Sequence, residues 1–310
     1  MIKIFIDGKE GTTGLRINER LAKYDDVEVI TLPEEKRKDP AARKEALNSA
    51  DVAFLCLPDA AAIESVSLVE NENTVIIDTS TAHRTAEGWT YGFPELSEGA
   101  FEAIKKSRRI AVPGCHASGF ISLVAPIVEA GILPEDAMVT SHSITGYSGG
   151  GKKMIAEYEG EGRSILLDSP RQYGLTQKHK HLPEMKAVCG LENEPIFCPI
   201  VSDFYSGMTV TVPLFASQLA DGYTAEDIKN VYKNLYKGPI VKYTEEVGEG
   251  GFAAGNTLSG NDGMTVGVSG NDERILLVSN FDNLGKGSSG AAIQCLNIVL
   301  GRDMTYSLDI

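Results

Sequence analysis

The sequence predicts an α/β fold: a doubly wound parallel sheet of the Rossmann type, followed by a second, catalytic α+β domain with a mixed or antiparallel sheet. Three observations predict it. Short apolar runs at residues 2–6, 27–32, 52–57 and 75–78 alternate with helical stretches, as parallel strands covered on both faces do. A glycine-spaced loop follows the first run at once. Beyond residue 115 the strands lengthen and alternate in polarity, at residues 137–144, 202–213 and 274–279, while crossover helices become rarer.

Composition bounds the function. The chain has 310 residues, 42% of them hydrophobic, which suits one large or two ordinary domains that bury roughly three quarters of the unfolded surface. A net charge of −14 argues against nucleic acid or an anionic membrane as partner. The five cysteines are odd in number, scattered and without a C-x-x-C pair, so a disulfide frame and a zinc site are both unsupported and a reducing, cytoplasmic setting is expected. No run reaches membrane-spanning length, the N-terminus lacks signal-peptide character, and no repeat or low-complexity tract is present.

Taken in order, the first strand runs into Gly8-Lys9-Glu10-Gly11-Thr12-Thr13-Gly14, a G-x-x-G-x-x-G variant of a dinucleotide loop. Its glycines permit a tight turn and close backbone approach to a pyrophosphate ahead of a helix at residues 15–23. The second strand ends in Thr31-Leu32-Pro33 instead of an acidic residue, and Lys36-Arg37-Lys38 follow. Cations there favour the 2′-phosphate of NADP over NAD. The competing reading of Glu34 to Lys38 is a solvated helix start. A helix at residues 41–50, strands at 52–57 and 75–78 and the polar loop Asp78-Thr79-Ser80-Thr81-Ala82-His83-Arg84 continue the alternation. Ser80 lies at the carboxyl edge where cofactors bind, and Arg84 is a candidate anion ligand.

Val112-Pro113-Gly114-Cys115-His116-Ala117-Ser118-Gly119 is the stretch around which the chemistry is organised. A short strand at 108–112 precedes Pro-Gly, and residues 121–130 have helical length and periodicity, which places Cys115 at or near a helix N-terminus. There the exposed N–H groups and the helix dipole favour a thiolate nucleophile over a thiol. Farther on, Thr145 to Lys153 forms a glycine-rich loop in which Ser148 and Gly149 are candidate substrate contacts, and Arg163 is a further anion-binding candidate. Lys178-His179-Lys180-His181-Leu182-Pro183-Glu184-Met185 opens a helix with proline in its first turn. His181 adjoins that rigid turn and is the favoured acid/base; His179 and His116 are the alternatives. Asp282-Asn283-Leu284-Gly285-Lys286-Gly287-Ser288-Ser289-Gly290 leads into a helical stretch at 288–301, where Asn283 suits a carboxamide.

With these pieces in place the whole chain resembles the N-acetyl-γ-glutamyl-phosphate reductase family, in its shorter subgroup, a relative of aspartate-semialdehyde dehydrogenase. The resemblance rests on the glycine loop, Val-Pro-Gly-Cys-His-Ala-Ser-Gly, His-Leu-Pro-Glu-Met and Asp-Asn-Leu-Gly-Lys-Gly-Ser-Ser-Gly-Ala. It implies an NADP-binding domain over residues 1–114, onto which 286–310 packs back, and a catalytic and dimerisation domain over 115–285. It implies Cys115 as nucleophile and His181 as acid/base, with Asn283 and Lys286 beside the nicotinamide. The implied reaction is NADPH-dependent reduction of an acyl phosphate through a cysteine thioester, in arginine biosynthesis, by a homodimer or homotetramer. His116 stands where the longer subgroup commonly has tyrosine. Two alternatives remain: aspartate-semialdehyde dehydrogenase activity and a non-catalytic NADP sensor.

Overall fold

The apolar run after Met1 becomes β1 (Ile2–Asp7), whose last four residues are buried. In the computed structural model, which describes residues 1–310, strand and helix then alternate: α1 (Thr12–Leu21), β2 (Val27–Ile30), α2 (Pro40–Ser49), β3 (Val52–Leu55), α3 (Asp59–Ser67), β4 (Val75–Asp78), β5 (Thr90–Tyr91), α4 (Glu98–Lys106) and β6 (Arg109–Ala111). The six strands form one sheet in the order β2-β1-β3-β4-β6-β5, and every pairing is parallel. Side-chain alternation fixes its two faces. Ile4, Ile6, Phe54 and Ile77 pack on one side with Ile17 and Leu21 of α1; Phe5, Ala53, Leu55 and Ile76 pack on the other with Leu47 and Ala62. Each such buried aliphatic or aromatic side chain contributes about 1.5–3 kcal/mol.

The following stretch runs α5 (Cys115–Glu129), β7 (Thr140–Gly146), α6 (Gly151–Glu159), β8 (Arg171–Gln172), α7 (Leu182–Cys189), β9 (Ile196–Ser202), β10 (Met208–Phe215), α8 (Ala225–Leu235), β11 (Val241–Tyr243), β12 (Met264–Gly270) and β13 (Arg274–Phe281), and α9 (Gly290–Val299) closes the helices. The second sheet has seven strands in the order β11-β12-β13-β10-β7-β9-β8, parallel and antiparallel pairs mixed. The predicted fold class is therefore the observed one. By internal contacts the chain divides into Met1–Pro94, Glu98–Pro113 and Ser288–Leu308 as a first unit, and Glu95–Ser97, Gly114–Gly287 and Asp309–Ile310 as a second. α9 belongs to the first, where Ile293 and Leu296 complete the core beside Ile4 and Ile17.

Several boundaries differ from expectation for local reasons. The strand expected over 202–213 is two strands, β9 and β10, because Ser202 to Gly207 turns; Gly207 adopts φ +119, and a Cβ there would lie 2.3 Å from the Gly255 carbonyl oxygen. The helix expected from 121 begins six residues earlier, at Cys115. The helix expected from 288 starts at Gly290 after a π turn over Gly285–Ser289. β2 stops at Ile30, ahead of Pro33.

α5 is the central helix of the second unit. Gly119 lets it approach β10, since a Cβ there would meet Val210 Cγ2 at 2.4 Å. Pro126 lies inside α5 and removes the N–H that would have served the Ser122 carbonyl. Tyr236, at the end of α8, compensates by donating its hydroxyl to Ser122 O at 2.7 Å, and Tyr232 donates to the next carbonyl, Leu123 O.

Candidate active site

Gly114 is the N-cap of α5, with extended backbone and no side-chain cap, so Cys115 is the first helical residue. The local positive potential falls on its sulfur by position. Cys115 is half-buried, whereas Cys189 and Cys295 are buried. Burial also pushes the Cys56 thiol up to about 12, which leaves that group inert. The Gly114 N–H donates to Glu184 Oε1 at 2.8 Å, and Glu184, on α7, is only 2% exposed. That hydrogen bond ties the start of α5 to the start of α7.

His181 is the N-cap of α7, with Pro183 in the first turn. Its carbonyl accepts from Met185 N–H at 2.9 Å, and its own N–H donates to His179 Nδ1 at 3.2 Å. The rings of His181 and His116 lie 5.7 Å apart, and those of His181 and His179 4.7 Å apart. The structure thus gathers the three candidate histidines together, with His179 and His181 packed against His116, the residue that follows the cysteine. They are not equivalent. His116 is buried, and both ring nitrogens are engaged, Nδ1 with Ser143 Oγ at 2.7 Å and Nε2 with Tyr173 Oη at 2.6 Å. Burial, then the neighbouring His179, pushes the His116 imidazole down to about 3, so it is neutral at physiological pH.

The loop after β13 closes on the same helix start. A Cβ on Gly287 would lie 3.1 Å from Cys115 Cβ. Asp282 holds this loop: its carboxylate accepts from Leu284 N–H at 2.8 Å and Ser206 Oγ at 3.0 Å. Asn283 accepts from Gly207 N–H at 2.9 Å and donates to Ser148 Oγ at 2.9 Å. A Cβ on Gly149 would meet the same Asn283 amide nitrogen at 3.4 Å. Asn283, Ser148 and Gly149 are therefore one cluster. Lys286 is 2% exposed and paired with Glu95 at 2.6 Å.

In the first unit a cleft of about 500 Å³ lies at the end of β1, lined among others by Asp7, Gly8, Lys9, Glu10, Thr31, Leu32, Arg37, Lys38 and Arg43. The backbone here turns tightly, and its glycines leave no room for side chains. Gly8 adopts φ +87, and a Cβ would sit 2.3 Å from Cys56 O; on Gly14 it would sit 2.6 Å from Gly8 O. Of the expected cations Arg37 lines the cleft, 3.2 Å from Glu10, whereas Lys36 does not. Gly11 N–H donates to Gly8 O at 3.0 Å, and α1 starts at Thr12. Thr13 Oγ1 is 3.1 Å from Ser288 Oγ.

Other expected residues are engaged elsewhere. Ser80 donates to Asp78 Oδ2 at 2.7 Å, in a buried knot with His83, and does not line the cleft. Arg84 braces the turn by donating to Val112 O and Thr79 O at 2.9 and 3.0 Å. Arg163 is committed to Asp203 and Asp168, both at 2.6 Å. Sequence reasoning missed Asp7, Arg43, Ser143, Tyr173 and Glu184. Only Glu184 carried a usable signal, an acidic residue in the first turn of a proline-started helix.

Comparison with known proteins follows the same division. Residues 3–105 match the semialdehyde dehydrogenase NAD binding domain, and residues 115–283 the semialdehyde dehydrogenase dimerisation domain. This defines the class: a semialdehyde dehydrogenase with an NAD(P)-binding domain and a dimerisation domain. The fold is shared with aspartate semialdehyde dehydrogenase II of Vibrio cholerae complexed with ASA (TM-score 0.72, 16% identity, 97% of this chain and 98% of that one). It is also shared with aspartate semialdehyde dehydrogenase of Candida albicans with NADP (TM-score 0.68, 15% identity, 98% and 99%). Within the class the sequence is specific. It is 45% identical to the N-acetyl-gamma-glutamyl-phosphate reductase of Chelativorans sp. over 96% of this chain and 98% of that protein. It is 46% identical to that of Brucella ovis over 97% and 99%. The chain belongs to the N-acetyl-gamma-glutamyl-phosphate reductase family.

Proposed function

We propose that this protein reduces N-acetyl-γ-glutamyl phosphate to the semialdehyde with NADPH, through a thioester on Cys115, in arginine biosynthesis. The observation that carries the reading is Cys115 as the first residue of α5, half-buried, with His181 on the helix that Glu184 ties to the same point. The thiolate adds to the acyl carbon, and collapse of the adduct breaks the C–O bond and expels phosphate. When bound, the reduced nicotinamide supplies hydride to the thioester carbon. Collapse of the resulting thiohemiacetal breaks the C–S bond, releasing the aldehyde and restoring the thiolate. His181 holds a proton for the departing phosphate, a role worth about 10²–10⁴ in rate. Gly8, Gly11, Thr12, Thr13 and Gly14 cradle the pyrophosphate. Arg37, with Lys38, favours the 2′-phosphate of NADP, since both line the cleft.

Association of two copies through the seven-stranded sheet accords with the dimerisation-domain match. His142, Thr211, Pro213 and Leu276 fall on one face by register, and exposed Ile196, Phe215 and Leu276 make that face apolar. A cytoplasmic location fits the free cysteines; no helix is long and apolar enough to cross a membrane.

The test is phosphate-dependent oxidation of the N-acetyl-glutamyl and aspartyl semialdehydes with NADP and NAD. Cys115→Ser should abolish turnover and retain NADPH binding. Preference for the aspartyl compound, or near-normal turnover of the serine variant, refutes the reading.

A further inference from the structure

We infer that Tyr173 is a catalytic hydrogen-bond donor of this site, its hydroxyl aimed by the Ser143–His116 pair at the oxygen that becomes negatively charged on the acylated Cys115. The inference rests on the thioester reading and goes beyond it by naming an oxyanion donor and the residues that aim it.

Ser143, His116 and Tyr173 form a chain of three side chains in contact. Ser143 Oγ on β7 is fully buried, and its partner is His116 Nδ1 at 2.7 Å. A buried hydroxyl needs an acceptor for its proton, and the neutral ring supplies it only if Nδ1 is the unprotonated nitrogen. The ring proton is then on Nε2, which donates to Tyr173 Oη at 2.6 Å. The phenol accepts from the histidine, so its own proton is directed away from it. The opposite tautomer would leave Ser143 O–H enclosed without an acceptor. Burial of His116 keeps the ring neutral and thereby preserves this ordering.

The location follows from the helix start. His116 immediately follows Cys115 in the first turn of α5, and Tyr173 is held on the other side by its N–H donating to Pro199 O at 3.0 Å. Burial, then the nearby Cys115, raises the phenol above its ordinary range. Tyr173 is thus a protonated donor, held against the residue that follows the nucleophile, and not a base. Its hydroxyl partner is His116 Nε2. In the reaction the carbonyl π pair moves onto oxygen twice. It does so first when Sγ adds to the acyl phosphate carbon, and again when the thioester carbon accepts hydride from NADPH. Both oxyanions are carried on the same carbon next to Sγ. A donor fixed here stabilises each without gaining or losing a proton. Ser143 and His116 are positioning residues.

Four readouts test this. Tyr173→Phe should lower kcat by about 10²–10³, the usual effect of losing one oxyanion donor, with KM changed far less. It should slow the single-turnover release of phosphate from the acyl phosphate in the absence of NADPH by a similar factor. The pH profile of Cys115 alkylation by iodoacetamide should be unchanged. His116→Gln, which keeps an N–H to offer, should retain at least about tenfold more activity than His116→Leu. An effect below threefold in Tyr173→Phe overturns the inference. So does an alkylation profile shifted to higher pH, which would make the phenol a thiolate ligand, or equal activity of the two His116 variants. Wild-type protein that neither releases phosphate nor forms aldehyde would instead overturn the thioester reading itself.

Discussion

Replacing Tyr236 by Phe isolates one interaction that the fold needs because of Pro126. The substitution removes a single oxygen from a side chain that is 2% exposed and deletes the 2.7 Å donation to Ser122 O. That carbonyl has lost its intrahelical partner, since residue 126 has no N–H. Leaving a buried acceptor unmet costs about 1–3 kcal/mol. For a unit of this size 2 kcal/mol corresponds to roughly 4–8 °C in Tm. Calorimetry on the wild type, Tyr236→Phe, Pro126→Ala and the double variant decides the cause. Alanine at 126 restores a backbone donor for the same carbonyl, so Tyr236→Phe should cost less in that background, with a coupling of about 1 kcal/mol. Equal losses in both backgrounds would refute the reasoning, because the tyrosine would then be acting by packing alone.

Further outcomes are expected. Gly14→Ala forces a Cβ to within 2.6 Å of Gly8 O and should raise the NADPH KM about tenfold or more, while the iodoacetamide reactivity of Cys115 stays as it was. Arg43→Met strands the Asp7 carboxylate, whose side chain is 5% exposed, and should destabilise by about 3–5 kcal/mol; adding Asp7→Asn should recover most of this in a denaturation experiment. Glu184→Ala orphans the Gly114 N–H and should lower kcat by about 10²-fold through misplacement of Cys115, whereas Glu184→Gln, which keeps an acceptor, should stay within tenfold. His116 is depressed from 6.5 to about 3, so its contribution to stability is complete above pH 6.5 and is lost as the pH falls toward 3. The slope from this one group approaches 1.4 kcal/mol per pH unit, and His116→Gln should flatten the acid limb of a Tm–pH curve.

Most of the first unit was legible because its signals are local. Residues 75–78 form β4 with the predicted bounds, since a run buried on both faces is apolar throughout. The sheet of the second unit was legible only in kind. β8 has two residues and β11 three, and such short strands exist because of long-range pairing and not because of any pattern of their own. The site divides the same way. The positions of Cys115 and His181 were readable because a turn and a helix start mark them. Tyr173 and Ser143 were not, since their roles arise only when β7, the irregular segment at 173 and the first turn of α5 come together. Arg43 looked like an ordinary helical residue; its donation to Asp7 Oδ2, 36 positions away, is a fact of packing.

The placement of α9 has a consequence for how the first unit is assembled. One side of its parallel sheet is completed by Ile293, Cys295, Leu296 and Ile298, residues separated from the preceding part of that unit by the entire inserted stretch Gly114–Gly287. A polypeptide emerging from the ribosome therefore carries β1 to β6 with one flank only partly covered, by α1 and α4, until the intervening sequence has been made. The nucleotide half matures after the half that bears the thiol, and a chain cut at residue 287 should be an insoluble or chaperone-held product rather than a working cofactor-binding module.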